Sequence, residues 1–233
     1  MTKIISFVVG KGGGGKTTLA HSLIKYATDK GLKVVALDAD SNLSLYAQVE
    51  RRREYFSDNN MQDDYPIVET VSSNMKTGVT DYVQRKAKGY DLCIVDTAGA
   101  FTLFHEAVCM ASNLVIIPTM FQKKFTIPAK ETFDIISEIQ QNNGGLPIAA
   151  LAKLNTVKGS VRNKEHEDYL SELPCFSKKT TNYPALYSLS DLNGLSITEL
   201  DSIGSKAEKE RGESCAIQMR QLCQEILDTV EQL

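Results

Sequence analysis

Gly10-Lys11-Gly12-Gly13-Gly14-Gly15-Lys16-Thr17-Thr18 decides how the rest of this chain is read. Residues 10–17 match the pattern G-x-x-x-x-G-K-[ST]. An apolar run, residues 4–9, precedes the loop and is broken only by Ser6. Residues 17–30 follow it with Leu19, Leu23 and Tyr26 near one helical face and Gly31 as a stop. A strand, a glycine-rich loop and a helix in this order form a phosphate cradle. The glycines let the backbone aim several N–H groups at phosphate oxygens, and the helix adds the positive end of its dipole. In such a loop Gly12, Gly13, Gly14, Gly15, Lys16, Thr17 and Thr18 hold the nucleotide. Lys16 reaches the β- and γ-phosphates and the Thr17 hydroxyl ligates magnesium.

Outward from the loop the chain keeps alternating strand and helix. Strands are expected at residues 33–37, 66–71, 91–95, 114–117 and 147–154, and helices at 43–55, 76–88, 104–111, 128–141, 161–172, 184–192 and 205–233. Residues 57–65 are polar and acidic and read as a surface loop. The first βαβ unit implies parallel pairing. The expected fold is α/β: one doubly wound P-loop NTPase domain over residues 1–233, a mostly parallel sheet flanked by helices.

Composition narrows the function classes. Hydrophobic residues make up 42% of the 233 and the formal net charge is -3, so nucleic-acid binding requires a local basic patch. The five cysteines, none at CxxC spacing, argue against a disulfide framework or a zinc site, and the scattered His21, His105 and His166 read as surface or helix residues. No run approaches the ~20 apolar residues of a membrane helix. A cytoplasmic protein is expected.

The loop resembles that of the ParA/MinD superfamily of deviant Walker A ATPases, K-G-G-x-G-K-T-[ST], with Lys11 in the place of its signature lysine. Asp38-Ala39-Asp40 resembles the family's D-x-D segment, although Ser41-Asn42 replaces the usual Pro-Gln. The apolar run from Asp91 to Asp96, then Thr97-Ala98-Gly99, resembles its Walker B strand and switch. Ile117-Pro118-Thr119 resembles its strand-end proline near the adenine. A later segment, Tyr183-Pro184-Ala185-Leu186 through Asn193-Gly194-Leu195-Ser196-Ile197, matches less specifically.

The resemblance implies ATP and Mg2+ as cofactors. It implies an ATP-sandwiched homodimer in which Lys11 touches the partner's nucleotide, Asp40 positions the attacking water, and Thr17, Asp38 and Asp96 serve the metal. It further implies non-specific DNA binding, release triggered by a ParB-like or other adaptor protein, and a place in the cytoplasm or on the nucleoid. Short plasmid-type partition proteins fit best, and conjugation or T-DNA-transfer relatives share these features. Lys178, Lys179, Lys206, Lys209, Arg211 and Arg220 are the DNA-contact candidates. Arg51-Arg52-Arg53 is a sharper basic run, read as the end of a helix, where the dipole favours cations. A MinD-like membrane ATPase would need a basic amphipathic tail, whereas residues 221–233 carry Glu225, Asp228 and Glu231 and no Lys or Arg. A ligase of the dethiobiotin-synthetase kind shares the fold but has no need of Lys11.

Overall fold

In the computed structural model, which describes residues 2–154, 161–180 and 190–233, six strands pair in parallel in the order β3-β2-β4-β1-β5-β6. The strands are β1 (Lys3–Phe7), β2 (Val34–Ala39), β3 (Val68–Thr70), β4 (Leu92–Thr97), β5 (Leu114–Met120) and β6 (Ile148–Leu154). Between and after them lie α1 (Lys16–Asp29), α2 (Ser44–Asp58), α3 (Val79–Ala87), α4 (Leu103–Ala111), α5 (Lys123–Asn142), α6 (Val161–Leu170) and α7 (Lys206–Glu231). A 3₁₀ turn, Ile197–Glu199, precedes α7.

Alternate residues of the central strands feed opposite layers, as the pleat requires. Ile5, Phe7, Ala36 and Ile94 pack under α1, α2 and α7. Ile4, Val35, Leu37, Cys93 and Val95 pack against α3 and α4, and Val115 and Ile117 against α5. Helices on both faces explain why the strands read as unbroken apolar runs. Because every pair is parallel, the loops after β1, β2 and β4 emerge at one edge, the place where open α/β sheets bind ligands.

Several boundaries move. α3 starts at Val79 rather than residue 76, because Gly78 is left-handed (φ 71°) and breaks the pattern. α5 starts at Lys123 and carries Pro128 inside it. Pro128 resembles a first-turn proline, yet buried Phe125 and Thr126 anchor an additional turn ahead of it.

α2 runs on to Asp58, so Arg51-Arg52-Arg53 lies within the helix and does not close it. Arg52 is fully buried. Its guanidinium donates to Glu199 Oε2 (2.6 Å) and Oε1 (2.9 Å) and to Asp63 Oδ1 (2.8 Å). It also lies over the Phe56 ring at 4.2 Å. The expected 57–65 surface loop therefore contributes an inward carboxylate, Asp63, and a buried ring, Tyr65.

His21 and His105 sit in helices as expected but are buried, not at the surface. Burial, helped by Arg52 and Arg51, pushes the His21 imidazole down to about 3. Within the expected helix at 184–192, residues 190–192 are helical and the remainder lies outside the described residues, as does Tyr183-Pro184-Ala185-Leu186.

Candidate functional site

Strand register brings the acids of the site together. β2 and β4 pair so that Asp38 stands opposite Asp96, and β1 places Phe7 opposite Asp96 on its other side. Adjacent strands lie about 4.8 Å apart, so Asp38 and Asp96 are near neighbours at the sheet edge, both fully buried. The glycine loop leaves β1 beside them and enters α1 behind Gly15, itself left-handed (φ 90°). Gly10 N–H donates to Thr132 Oγ1 of α5 (3.1 Å), which tethers the loop's start.

Charge is concentrated here. Burial lowers the Lys16 ammonium below the ordinary lysine range, and Asp96 and Asp40 oppose that effect. Burial pushes the Asp96 carboxyl up to about 7; Thr17 and Lys16 pull it down, while Asp38 and Asp40 push it further up. Both Asp96 carboxylate oxygens are buried without a hydrogen bond meeting full geometry among the described residues. Asp38 is also raised, first by burial, against the N–H groups of Tyr46 (2.9 Å) and Asp40 (3.0 Å) that hold its two oxygens. Two buried neighbouring carboxylates with unspent lone pairs, beside the Thr17 hydroxyl, form the hard oxygen donor set that suits a magnesium ion. A bound cation there would neutralise negative charge on both the carboxylates and a phosphate chain.

The glycine loop floors a cavity of about 840 Å³. Gly12, Gly13, Gly15, Lys16, Thr17 and Thr18 line it, and Asp40 and Gly99 stand at one side. The volume suits a nucleotide rather than a bare phosphate. Gly99 belongs there for a steric reason: a Cβ on it would lie 2.6 Å from both N and Cα of Gly12. The loop after β4 thus touches the glycine loop backbone to backbone. Lys11 is exposed, and no ion pair or hydrogen bond engages its ammonium among the described residues.

Sequence reasoning missed one wall of the cavity. Ser44, Ala47, Gln48 and Arg51 lie on one face of α2, and Asp191 completes that wall. Arg51 holds Asp191 through Nε to the main-chain oxygen (2.8 Å) and Nη2 to Oδ1 (2.9 Å). The i, i+3, i+4, i+7 spacing was the available signal.

The DNA-contact candidates do not converge. Lys206 and Arg211 are exposed near the start of α7, with Lys206 3.9 Å from Glu210. The main-chain N–H of Lys178 is tied to Glu225, about 28 Å further along that helix. Lys179 pairs with Glu167 (3.1 Å). Arg220 is committed to Asp201 and to the Thr198 carbonyl, so it is withdrawn as a DNA contact.

The family model described as "VirC1 protein" matches residues 2–232 of this chain. The chain belongs to the VirC1 family. Protein virC1 of Rhizobium rhizogenes is 26% identical over 201 residues, 85% of each chain. Among solved structures, the septum site-determining protein MinD of Pyrococcus horikoshii OT3, complexed with Mg-ADP, superposes with a TM-score of 0.71 at 17% identity, covering 97% of this chain and 96% of its own. A putative plasmid partition protein from Borrelia burgdorferi B31 bound to AMPPNP gives 0.66 at 18% identity, covering 95% and 99%. Those two likenesses establish the ParA/MinD-type fold for this VirC1-family chain. No described helix is long and apolar enough to cross a membrane.

Proposed function

We propose that this VirC1-family chain is a ParA-type ATPase that closes into an ATP-sandwiched homodimer, binds DNA without sequence preference and hydrolyses ATP slowly until an adaptor protein stimulates it. The observation that carries this reading is the contrast between the two lysines of the loop. Lys16 is buried in the field of Asp96 and Asp40 and lines the cavity, where it serves this chain's own phosphates. Lys11 is exposed and unengaged among the described residues, next in sequence to Gly12, which lines the same cavity. A long cation held in a glycine loop loses conformational freedom without a partner in its own chain, and the phosphates of a second copy supply that partner. Thr17, Asp38 and Asp96 would hold Mg2+, which screens the phosphate charge during transfer. Asp40, half-buried at the cavity edge, orients the attacking water.

The test compares ATP, ADP and no nucleotide. Light scattering is expected to show a dimer with ATP alone, and binding to unrelated DNA duplexes should follow the dimer and weaken steeply with salt. Lys11→Ala should bind ATP within a few-fold of wild type yet remain monomeric. A wild-type protein that stays monomeric with ATP, or a Lys11→Ala protein that dimerises normally, contradicts the sandwich. DNA binding that ignores the nucleotide contradicts the switch.

A second expectation concerns chemistry. Asp40→Ala should retain ATP and the dimer while phosphate release slows by about 100-fold, within the range expected for loss of a positioned acid–base group. Undiminished phosphate release would move the catalytic role to another residue.

A further inference from the structure

His105 is the third residue of α4 and only 2% exposed. Its Nε2 lies 3.2 Å from the Ala98 carbonyl oxygen and its Nδ1 2.9 Å from Thr102 Oγ1. A carbonyl oxygen can only accept, so Nε2 carries the proton and Nδ1 accepts from the threonine hydroxyl. Phe101 and Phe104 brace the ring, each with its centroid 5.9 Å away. Burial holds the imidazole below the ordinary histidine range, with the Ala98 bond opposing, and the fields of Lys16 and Asp40 reach it. The neutral form that this bonding pattern needs is therefore the favoured one.

The consequence falls on the next peptide. The Ala98 C=O and the Gly99 N–H belong to one planar trans unit and point in opposite directions. Fixing the carbonyl on His105 therefore fixes the Gly99 N–H to face away from His105. Gly99 lines the nucleotide cavity and packs on Gly12. We propose that His105 is a positioning residue: by gripping the Ala98 carbonyl it pre-orients the Gly99 N–H and the loop after β4 for the terminal phosphate. It touches no reacting atom. The inference rests on the nucleotide-hydrolysis reading above and names the device that readies the switch.

The test uses three variants of the full chain. His105→Leu removes both bonds at similar bulk. His105→Gln keeps an N–H able to reach the Ala98 carbonyl. Thr102→Val, at an exposed position where folding is not at risk, removes only the donor that sets the tautomer. His105→Leu is expected to bind ATP within about threefold of wild type while kcat falls at least about tenfold, since small misplacements at a site carry such costs. His105→Gln should recover part of that loss, and Thr102→Val should show a smaller loss of kcat at unchanged affinity. In nucleotide-free protein, amide hydrogen exchange over residues 98–101 should rise about tenfold in His105→Leu. Unchanged exchange there overturns the inference, and so does a kcat loss identical in the leucine and glutamine variants. If wild type itself releases no phosphate, the hydrolysis reading has failed, and the exchange experiment still decides whether His105 holds the loop. Should His105→Leu not fold, Thr102→Val and His105→Gln carry the same decision.

Discussion

Glu199→Ala is expected to lower the unfolding free energy by about 3–5 kcal/mol, because it strands a buried guanidinium. Arg52 has no exposed side-chain surface, and Glu199 supplies two of its three carboxylate bonds. Asp63 alone would remain to face the charge. Glu199 has other duties: its Oε2 accepts the Ser196 N–H (3.0 Å), closing a capping box at the 3₁₀ turn, and Lys25 lies 3.8 Å from its Oε1. For a chain of this size the melting temperature should fall by about 6–20 °C. Urea unfolding of wild type, Glu199→Ala, Arg52→Met and the double variant Arg52→Met/Glu199→Leu checks the cause. The double variant should lose less than either single, since it removes the buried guanidinium together with the buried Glu199 carboxylate and leaves only the more exposed Asp63 without its cation. A loss under about 1 kcal/mol in Glu199→Ala would mean that the pair is solvated in the working protein.

That network also seats the cavity wall. Arg52 fixes α2 from behind, and its neighbour Arg51 faces the cavity and holds Asp191. Gly194 approaches α2 so closely that a Cβ on it would lie 2.2 Å from the Gln48 carbonyl oxygen. A late segment of chain is thereby clamped to the helix that follows Asp40. The stability effect and the placement of the nucleotide's surroundings share one set of contacts.

The contrast between what was legible and what was not follows from distance along the chain. The glycine loop, Asp38 and Asp96 were legible because each motif is local: an apolar strand and the polar residues at its end. Parallel pairing then placed Asp38 beside Asp96 without further information. Arg52 was misread because three consecutive arginines look like the end of a helix, where the dipole favours cations, and its partner Glu199 lies 147 residues away. His105 was passed over because a scattered histidine reads as a surface or helix residue, and its burial beside Phe104 and Val108 appears only in the folded chain. Its i−3 spacing to Thr102 and its nearness to the Walker B-like strand were the only local signs. Pro128 misled because proline usually opens a helix, and only tertiary burial of Phe125 reveals the turn ahead of it.

Lys16→Ala should weaken ATP binding by about 100-fold, or ~2.7 kcal/mol, near the upper end for a hydrogen bond to a charged group. The size of the effect comes from the setting. Lys16 is 6% exposed, so bulk water screens its attraction for phosphate only weakly. Among the described residues its compensation comes from Asp96 and Asp40, and burial pushes the Asp96 carboxyl itself up to about 7. Without Lys16, Asp96 loses a favourable charge and its carboxyl should titrate higher still. The free protein can therefore avoid an unpaired anion by binding a proton, and the variant should fold. This separates the two outcomes that a null binding result would otherwise confuse. Calorimetric titration with ATP and magnesium should show the lost affinity while urea unfolding without nucleotide shifts by less than about 2 kcal/mol. Lys16→Arg keeps the charge but replaces a compact ammonium with a wide planar fork in a cradle shaped by glycines, so it should recover little. If instead Lys16→Ala binds ATP like wild type, phosphate recognition rests on the loop's N–H groups alone and the buried lysine serves only Asp96.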